Sequence, residues 1–259
     1  IEQGHFVALS GRDLSQAPTW AKPGPQRNPR ALAVRIDMGN STSMMEGLNQ
    51  IRKEWGKIDA LVHNANQTIM APAQEINQED LGRAMQTNFN GPLLLTQFAL
   101  PLMKENRFGR IIYLSSAASR MNEGLMASYS ATKAAAESFF LTLATDLKKS
   151  REHQEMDIDV RIFRLAFVKS DYEPHVSQDL LAPDQRGFMR LMTVLRNNSP
   201  TTDRSVSKAI METLSDPEAP RLTNLGIDGK AMALIAMIPA PIRTACQELL
   251  ARAVAPRTR

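Results

Sequence analysis

The stretch Gly109–Phe140, GRIIYLSSAASRMNEGLMASYSATKAAAESFF, decides the fold of this chain. Its run Ile111-Ile112-Tyr113-Leu114 is short, apolar and partly β-branched, which suits a buried parallel strand. Ser115 and Ser116 end the run. A polar connection with Gly124 follows, then a helical pattern in which Ala131, Ala134, Ala135, Ser138 and Phe139 are expected to form one packing face. Tyr129 and Lys133 are four residues apart, so a helix sets both side chains on one side, one turn apart. A tyrosine hydroxyl with a pKa of about 10 is a poor acid or base at neutral pH, and a nearby ammonium lowers that value. A hydroxyl from Ser115 or Ser116, at the strand's carboxyl end, is placed to hold a substrate oxygen beside the tyrosine. Tyr-x-x-x-Lys spacing is also common on solvated helix faces, so the pair gains weight only from further signals.

The chain has 259 residues, 43% of them hydrophobic, enough to bury a large core, and a single domain over residues 1–259 is expected. The formal charge is +4, and the 31 basic residues are scattered, without the basic run or interleaved aromatics of a nucleic-acid surface. One cysteine, Cys246, excludes an intrachain disulfide framework and fits a reducing, cytoplasmic compartment. No metal set is expected. No stretch reaches the roughly 18 apolar residues that span a bilayer.

Elsewhere, strands and helices alternate. His5–Ser10 reads as a strand ending in Gly11-Arg12, where a guanidinium suits a nucleotide 2′-phosphate and a carboxylate would suit the free hydroxyl. Residues 13–30 hold Pro18, Pro23, Pro25 and Pro29 and read as a loop. Ala31–Asp37 is a strand. Ser41–Trp55 is a capped helix with Met44, Met45, Leu48, Ile51 and Trp55 expected inward. Ile58–His63 is a strand running into Asn64-Ala65-Asn66, small and amide residues that permit close ligand approach. Residues 77–106 supply one or two helices, disturbed near Asn88-Phe89-Asn90-Gly91-Pro92. Residues 93–103 are apolar enough for the core or a subunit contact. Asp157–Phe163 is another strand. This alternation implies an α/β fold, a Rossmann-like doubly wound parallel sheet with helices on both faces.

These pieces resemble the short-chain dehydrogenases/reductases over roughly residues 1–170. Residues 59–66, DALVHNAN, resemble that family's Asn-Asn-Ala-Gly strand end, Asn88-Phe89-Asn90-Gly91 its Asn-x-x-Gly, and Tyr129 to Lys133 its Tyr-x-x-x-Lys. The family's serine stands thirteen residues before its tyrosine, and 129 − 13 = 116 selects Ser116 over Ser115. The resemblance implies four catalytic residues. Tyr129 would be the acid/base, Ser116 would hold the substrate oxygen, and Lys133 would lower the tyrosine pKa and bind nicotinamide-ribose hydroxyls. Asn88 would bend its helix and position a water that relays protons to Lys133. Implied NADP(H) contacts are Arg12 at the 2′-phosphate, Asp37 and Met38 near adenine, Asn64 and Ala65 along the adenosine ribose, and Val168 and Ser170 near the nicotinamide, together with Tyr129 and Lys133.

The sequence departs from the family pattern at several points. The family's first strand and Gly-rich phosphate turn have no counterpart, so the first strand is expected to be missing from the sheet. His63 and Asn66 replace an Asn and a Gly of the strand-end motif, and Leu165-Ala166 stands for Pro-Gly. His63 on its own reads as a satisfied core histidine. Residues 171–230 correspond to the family's substrate lid, where Phe188, Met189, Leu191, Met192 and Leu195 either line the substrate or, the favoured reading, form an amphipathic helix packed on the body. Residues 231–259 are expected to form a helical tail that packs on the body, the favoured reading, or else sits at a subunit interface, lines the substrate entrance, or touches a membrane surface weakly through Arg243, Arg252, Arg257 and Arg259.

The implied activity is NADP(H)-dependent interconversion of a carbonyl and a secondary alcohol on a fairly apolar substrate of lipid, steroid or ketoacyl type, in a homodimer or homotetramer. The missing glycine turn keeps a second reading open, a non-catalytic interaction protein of the same fold.

Overall fold

The computed structural model describes residues 1, 4–121, 124–150, 155–169, 175–176, 181 and 183–225. Its strands are β1 (Val7–Gly11), β2 (Ala31–Arg35), β3 (Ala60–His63), β4 (Ile69–Met70), β5 (Phe108–Ser116), β6 (Asp157–Leu165), β7 (His175–Val176) and β8 (Leu222–Leu225). The helices are α1 (Ser41–Trp55), α2 (Gln78–Met85), α3 (Gly91–Glu105), α4 (Ala127–Lys149), α5 (Pro183–Asn197) and α6 (Asp203–Ser215). All strand pairing among the described residues is parallel.

Parallel strands need long crossovers, and the helices supply them. The α1 boundaries match the sequence reading: Asn40 caps Ser43 N–H, and Gly56 ends the helix in the left-handed region at φ 80°, a conformation glycine adopts without strain. One expectation for α1 is corrected. Met44 and Leu48 are buried, but Met45 is 44% exposed, because successive residues stand about 100° apart and cannot both face the sheet.

The hydrogen-bonded strand order is β3-β5-β6-β8 in one block and β1-β2 in another. Ala8 of β1 and Leu61 of β3 pack against one core cluster, yet no described strand links the two blocks. Val62 of β3, a strand paired on one side only, is 38% exposed, unusual for a strand of an α/β core. The inner strand β5, paired on both sides, buries Ile111, Ile112 and Tyr113.

Helix α4 also corrects the sequence reading. Its buried stripe is not the alanine face but Thr132, Lys133, Ala136, Glu137, Phe140, Ala144 and Leu147, with Ala131, Ala134 and Ser138 exposed. The helix is rotated by about one residue because Lys133 and Glu137 find partners on β5 that offset their desolvation. The strand β8 and the short pair β4·β7 carry too little periodicity to be read from sequence.

Candidate active site

The site is built around a π-helical turn, Gln86–Asn90, between α2 and α3. The Gly91 N–H donates to Gln86 O, five residues back, and so inserts one extra residue into the helix. Pro92 has no N–H, so the Asn88 carbonyl loses its helical donor. The Tyr113 hydroxyl supplies one instead, at 2.9 Å.

Asn88 is fully buried, and its side chain ties three segments together. Its Oδ1 accepts from Gln67 N–H at 2.8 Å, and its Nδ2 donates to Gln67 O at 2.8 Å and to Thr132 Oγ1 at 3.0 Å. The Thr132 hydroxyl donates onward to Tyr129 O at 2.8 Å. The turn thus joins the loop after β3 to the first turns of α4. It also meets the end of β2, where Gln86 Nε2 donates to Met38 O. A Cβ on Gly91 would lie 2.6 Å from Met38 Cβ and 2.8 Å from Met38 O, so the backbone there has no room for a side chain. Gly91→Ala is expected to lower stability by about 2 kcal/mol through this overlap, measured by urea denaturation.

Tyr129 and Lys133 share one side of α4, with Lys133 Nζ 5.8 Å from the Tyr129 ring centroid. The Leu125 carbonyl before α4 accepts from Ala71 N–H at 3.1 Å, and Leu125 itself holds the left-handed φ of 65°, a strained backbone for a leucine beside the tyrosine's helix. Lys133 is buried and donates to Leu114 O at 2.8 Å. Burial lowers its pKa to about 7. A lysine whose folded pKa lies below its unfolded value of about 10.4 binds fewer protons folded than unfolded, so stability rises with pH between about 7 and 10. Lys133→Met is expected to flatten that rise, measured as thermal midpoint against pH.

The two serines separate by face. Ser115 is buried and donates to Glu137 Oε2 at 3.0 Å, which commits it to the core side. Ser116 is only half-buried, and its Oγ accepts from Ala118 N–H at 3.2 Å, capping the short 3-10 turn Ala117–Arg120. The described cofactor candidates follow the carboxyl ends of their strands: Arg12 after β1, Asp37 and Met38 after β2, Asn64 and Ala65 after β3. Arg12, Asn64 and Ala65 are exposed, and Asp37 accepts from Gly39 N–H at 2.9 Å. Val168 packs on the cluster under β8, and Ser170 lies outside the described residues.

His63 is a core histidine: Nε2 pairs with Thr96 Oγ1 at 2.8 Å, while Nδ1 is buried with no hydrogen-bond partner among the described residues. Burial first and the Lys133 charge second push its pKa down to about 3, so its ring is neutral at physiological pH. Asn66 turns its amide to Thr68 Oγ1 at 2.9 Å. Sequence reasoning missed Thr132, Gln67, Tyr113 and Glu137. Only Tyr113 carried a signal, a hydroxyl in an otherwise apolar strand.

Above the site, Tyr129 packs with Met70, Ala118, Leu125, Met126 and Leu181, joined by Val176, Met189 and Met192. Met189 and Met192 of α5 therefore pack against the same cluster as Tyr129, Leu191 is buried, and Leu195 is 42% exposed. The side chain of Phe188 and the tail beyond residue 225 lie outside the described residues.

The sequence profile described as short chain dehydrogenase matches residues 1–180. The chain belongs to that family. A sorbitol dehydrogenase of Cereibacter sphaeroides is 33% identical over 136 residues, 52% of this chain and 52% of that protein. A 3-ketodihydrosphingosine reductase of Bacteroides thetaiotaomicron is 32% identical over 146 residues, 56% of this chain and 51% of the relative. The NADP-dependent 3-hydroxy acid dehydrogenase YdfG of Shigella flexneri is 32% identical over 148 residues, 57% and 58% of the two chains. The chain spans about half the length of these curated relatives. A short-chain dehydrogenase structure from Streptomyces avermitilis shares the fold at a TM-score of 0.72 and 20% identity, covering 98% of this chain and 90% of that one. No helix among the described residues is long and apolar enough to cross a membrane.

Proposed function

We propose that this short-chain dehydrogenase interconverts a carbonyl and a secondary alcohol on a fairly apolar substrate, with NADP(H) as redox partner. The observation that carries the reading is the joint placement of Tyr129 and Lys133 on one side of α4, 5.8 Å from ring to ammonium nitrogen, under an apolar cluster that includes Met189 and Met192.

The residues suit the dinucleotide at its adenosine end. Arg12 is exposed with no hydrogen bond or ion pair to any described residue, which leaves its guanidinium available to a 2′-phosphate. Asp37, Met38, Asn64 and Ala65 would hold the adenosine moiety, and Val168, Ser170, Tyr129 and Lys133 would hold the nicotinamide end. The nicotinamide supplies or accepts the hydride. Ser116 orients the substrate oxygen, Tyr129 donates a proton to it or removes one, and Lys133 favours the ionised tyrosine by its charge. Asn88 keeps Thr132, and through it the first turn of α4, in place. The Met-rich cluster excludes water and offers an adaptable apolar wall. These relatives are named for a polyol, a long-chain ketone and a hydroxy acid, and the apolar wall favours the second type.

The test is NADPH titration of the chain followed by Trp20 and Trp55 fluorescence, then NADPH oxidation across a carbonyl panel graded by alkyl length. Saturable binding and oxidation that increases with chain length are expected. Binding without turnover on any carbonyl favours a binding-only protein. Arg12→Ala is expected to weaken NADPH roughly tenfold or more and leave NADH affinity unchanged, since only NADPH carries the 2′-phosphate.

A further inference from the structure

Tyr113 lies on β5 directly beneath the catalytic pair and is 1% exposed. Two of its contacts point to one role. Its hydroxyl donates to the Asn88 carbonyl, the acceptor that Pro92 leaves without a helical donor. Its ring lies under Lys133, whose Nζ is 5.0 Å from the centroid. Phe140 stacks on the Tyr113 ring at 4.8 Å and 19°, fixing its plane.

We propose that Tyr113 is the positioning residue of the Lys133–Asn88 pair: its ring face supports the Lys133 ammonium, and its hydroxyl locks the π-helical turn that carries Asn88. The inference rests on the proposed role of Lys133 as the charge beside Tyr129.

Lys133 meets few groups that favour its charge. Leu114 O is the hydrogen-bond acceptor, and the Tyr113 and Tyr129 rings lie at 5.0 and 5.8 Å. The negative face of an aromatic ring attracts a desolvated ammonium more strongly than a hydrated one. Charged and titratable groups on the surrounding elements are His63 on β3, Tyr113 on β5, Tyr129 and Glu137 on α4, Arg164 on β6 and Arg120 on the turn after β5. Glu137 is already engaged by Arg164 and Arg120, and His63 is neutral, so neither acts as a counter-ion to Lys133. Tyr113 therefore opposes the loss of the lysine proton that burial promotes. A leucine at position 113 would leave a deprotonated Lys133 beside Tyr129 and an Asn88 carbonyl without a donor.

The experiment separates ring from hydroxyl and needs no turnover. Lysine-selective NMR follows the titration of Lys133 in the parent chain, in Tyr113→Phe, in Tyr113→Leu, and with a tetrafluorinated phenylalanine at position 113. That last substitution keeps the ring shape but cancels its negative face. Tyr113→Phe is expected to leave the Lys133 titration in place. Tyr113→Leu and the fluorinated ring are expected to move it about one pH unit lower, a tenfold change in the protonation equilibrium. Loss of the hydroxyl in Tyr113→Phe is expected to speed hydrogen exchange of the Gly91 amide about tenfold, with exchange in α6 unchanged.

An unchanged Lys133 titration with the fluorinated ring, or an unchanged Gly91 amide in Tyr113→Phe, overturns the proposal, and neither depends on the stability of Tyr113→Leu. Carbonyl reduction is scored separately. Absent NADPH oxidation with the Lys133 shift present counts against the proposed reaction and leaves the role of Tyr113 standing.

Discussion

Tyr129→Phe is expected to lower NADPH-linked carbonyl reduction by about three orders of magnitude. The reasoning starts from proton transfer, which contributes roughly 10²- to 10⁴-fold when a positioned side chain performs it. Phenylalanine keeps the ring that packs against Met70, Ala118 and Met126, so the cluster above the site is preserved and only the proton donor is lost. Steady-state rates on the most active carbonyl, with fluorescence titration of both proteins, provide the check. Full activity in the variant would remove Tyr129 from the mechanism and with it the assignment of this site. Ser116→Ala offers a graded comparison, because a hydroxyl that orients the substrate oxygen contributes less than the group that moves the proton.

Glu137→Leu is expected to lower folding stability by about 3–5 kcal/mol, because losing one partner of a buried ion pair strands the charge of the other. Glu137 is 1% exposed and accepts from Ser115 at 3.0 Å, Ser119 at 2.9 Å, and the guanidinium groups of Arg120 and Arg164. Removing the carboxylate leaves Arg164, whose side chain is 15% exposed, without its counter-ion. Burial alone would raise the Glu137 pKa, but the hydrogen bonds from Arg164, Ser119 and Ser115 and the Arg164 charge outweigh it and hold it below the usual carboxylate range. A carboxylate with a depressed folded pKa stabilises the protein above its unfolded pKa, about 4.3, and that contribution disappears as pH falls through the folded value. Denaturant midpoints against pH should show acid destabilisation in the parent and a shallower slope in Glu137→Leu. The paired change Glu137→Leu with Arg164→Met should recover most of the loss, since an apolar pair replaces a buried ion pair at little cost. A single variant as stable as the parent would show that the network contributes nothing.

The strands and helices were readable because their periodicities are local. Ser41–Trp55 came out with both ends in place, since an Asn cap, an apolar stripe and a terminal Gly all lie within the segment. Asn88 was readable as a disturbance from Gly91 and Pro92, although the sequence did not show that the disturbance takes the form of a π turn. The alanine face of α4 was misplaced for a physical reason: periodicity ranks side chains by hydropathy, which gives no weight to buried charged residues such as Lys133 and Glu137. Their burial depends on acceptors and donors contributed by β5, β6 and the turn between β5 and α4.

The sequence by itself determined the α/β alternation, the family, and the order of Asn88, Ser116, Tyr129 and Lys133 along the chain, because motif spacing is a property of the chain alone. Only the tertiary structure decided which serine is committed to the core, since that depends on Glu137 lying 3.0 Å from Ser115. It also decided that Tyr113 donates to the carbonyl freed at Pro92 and that Met189 and Met192 reach the Tyr129 cluster. Those contacts join residues far apart in the chain, and folding alone brings them within hydrogen-bonding or van der Waals distance.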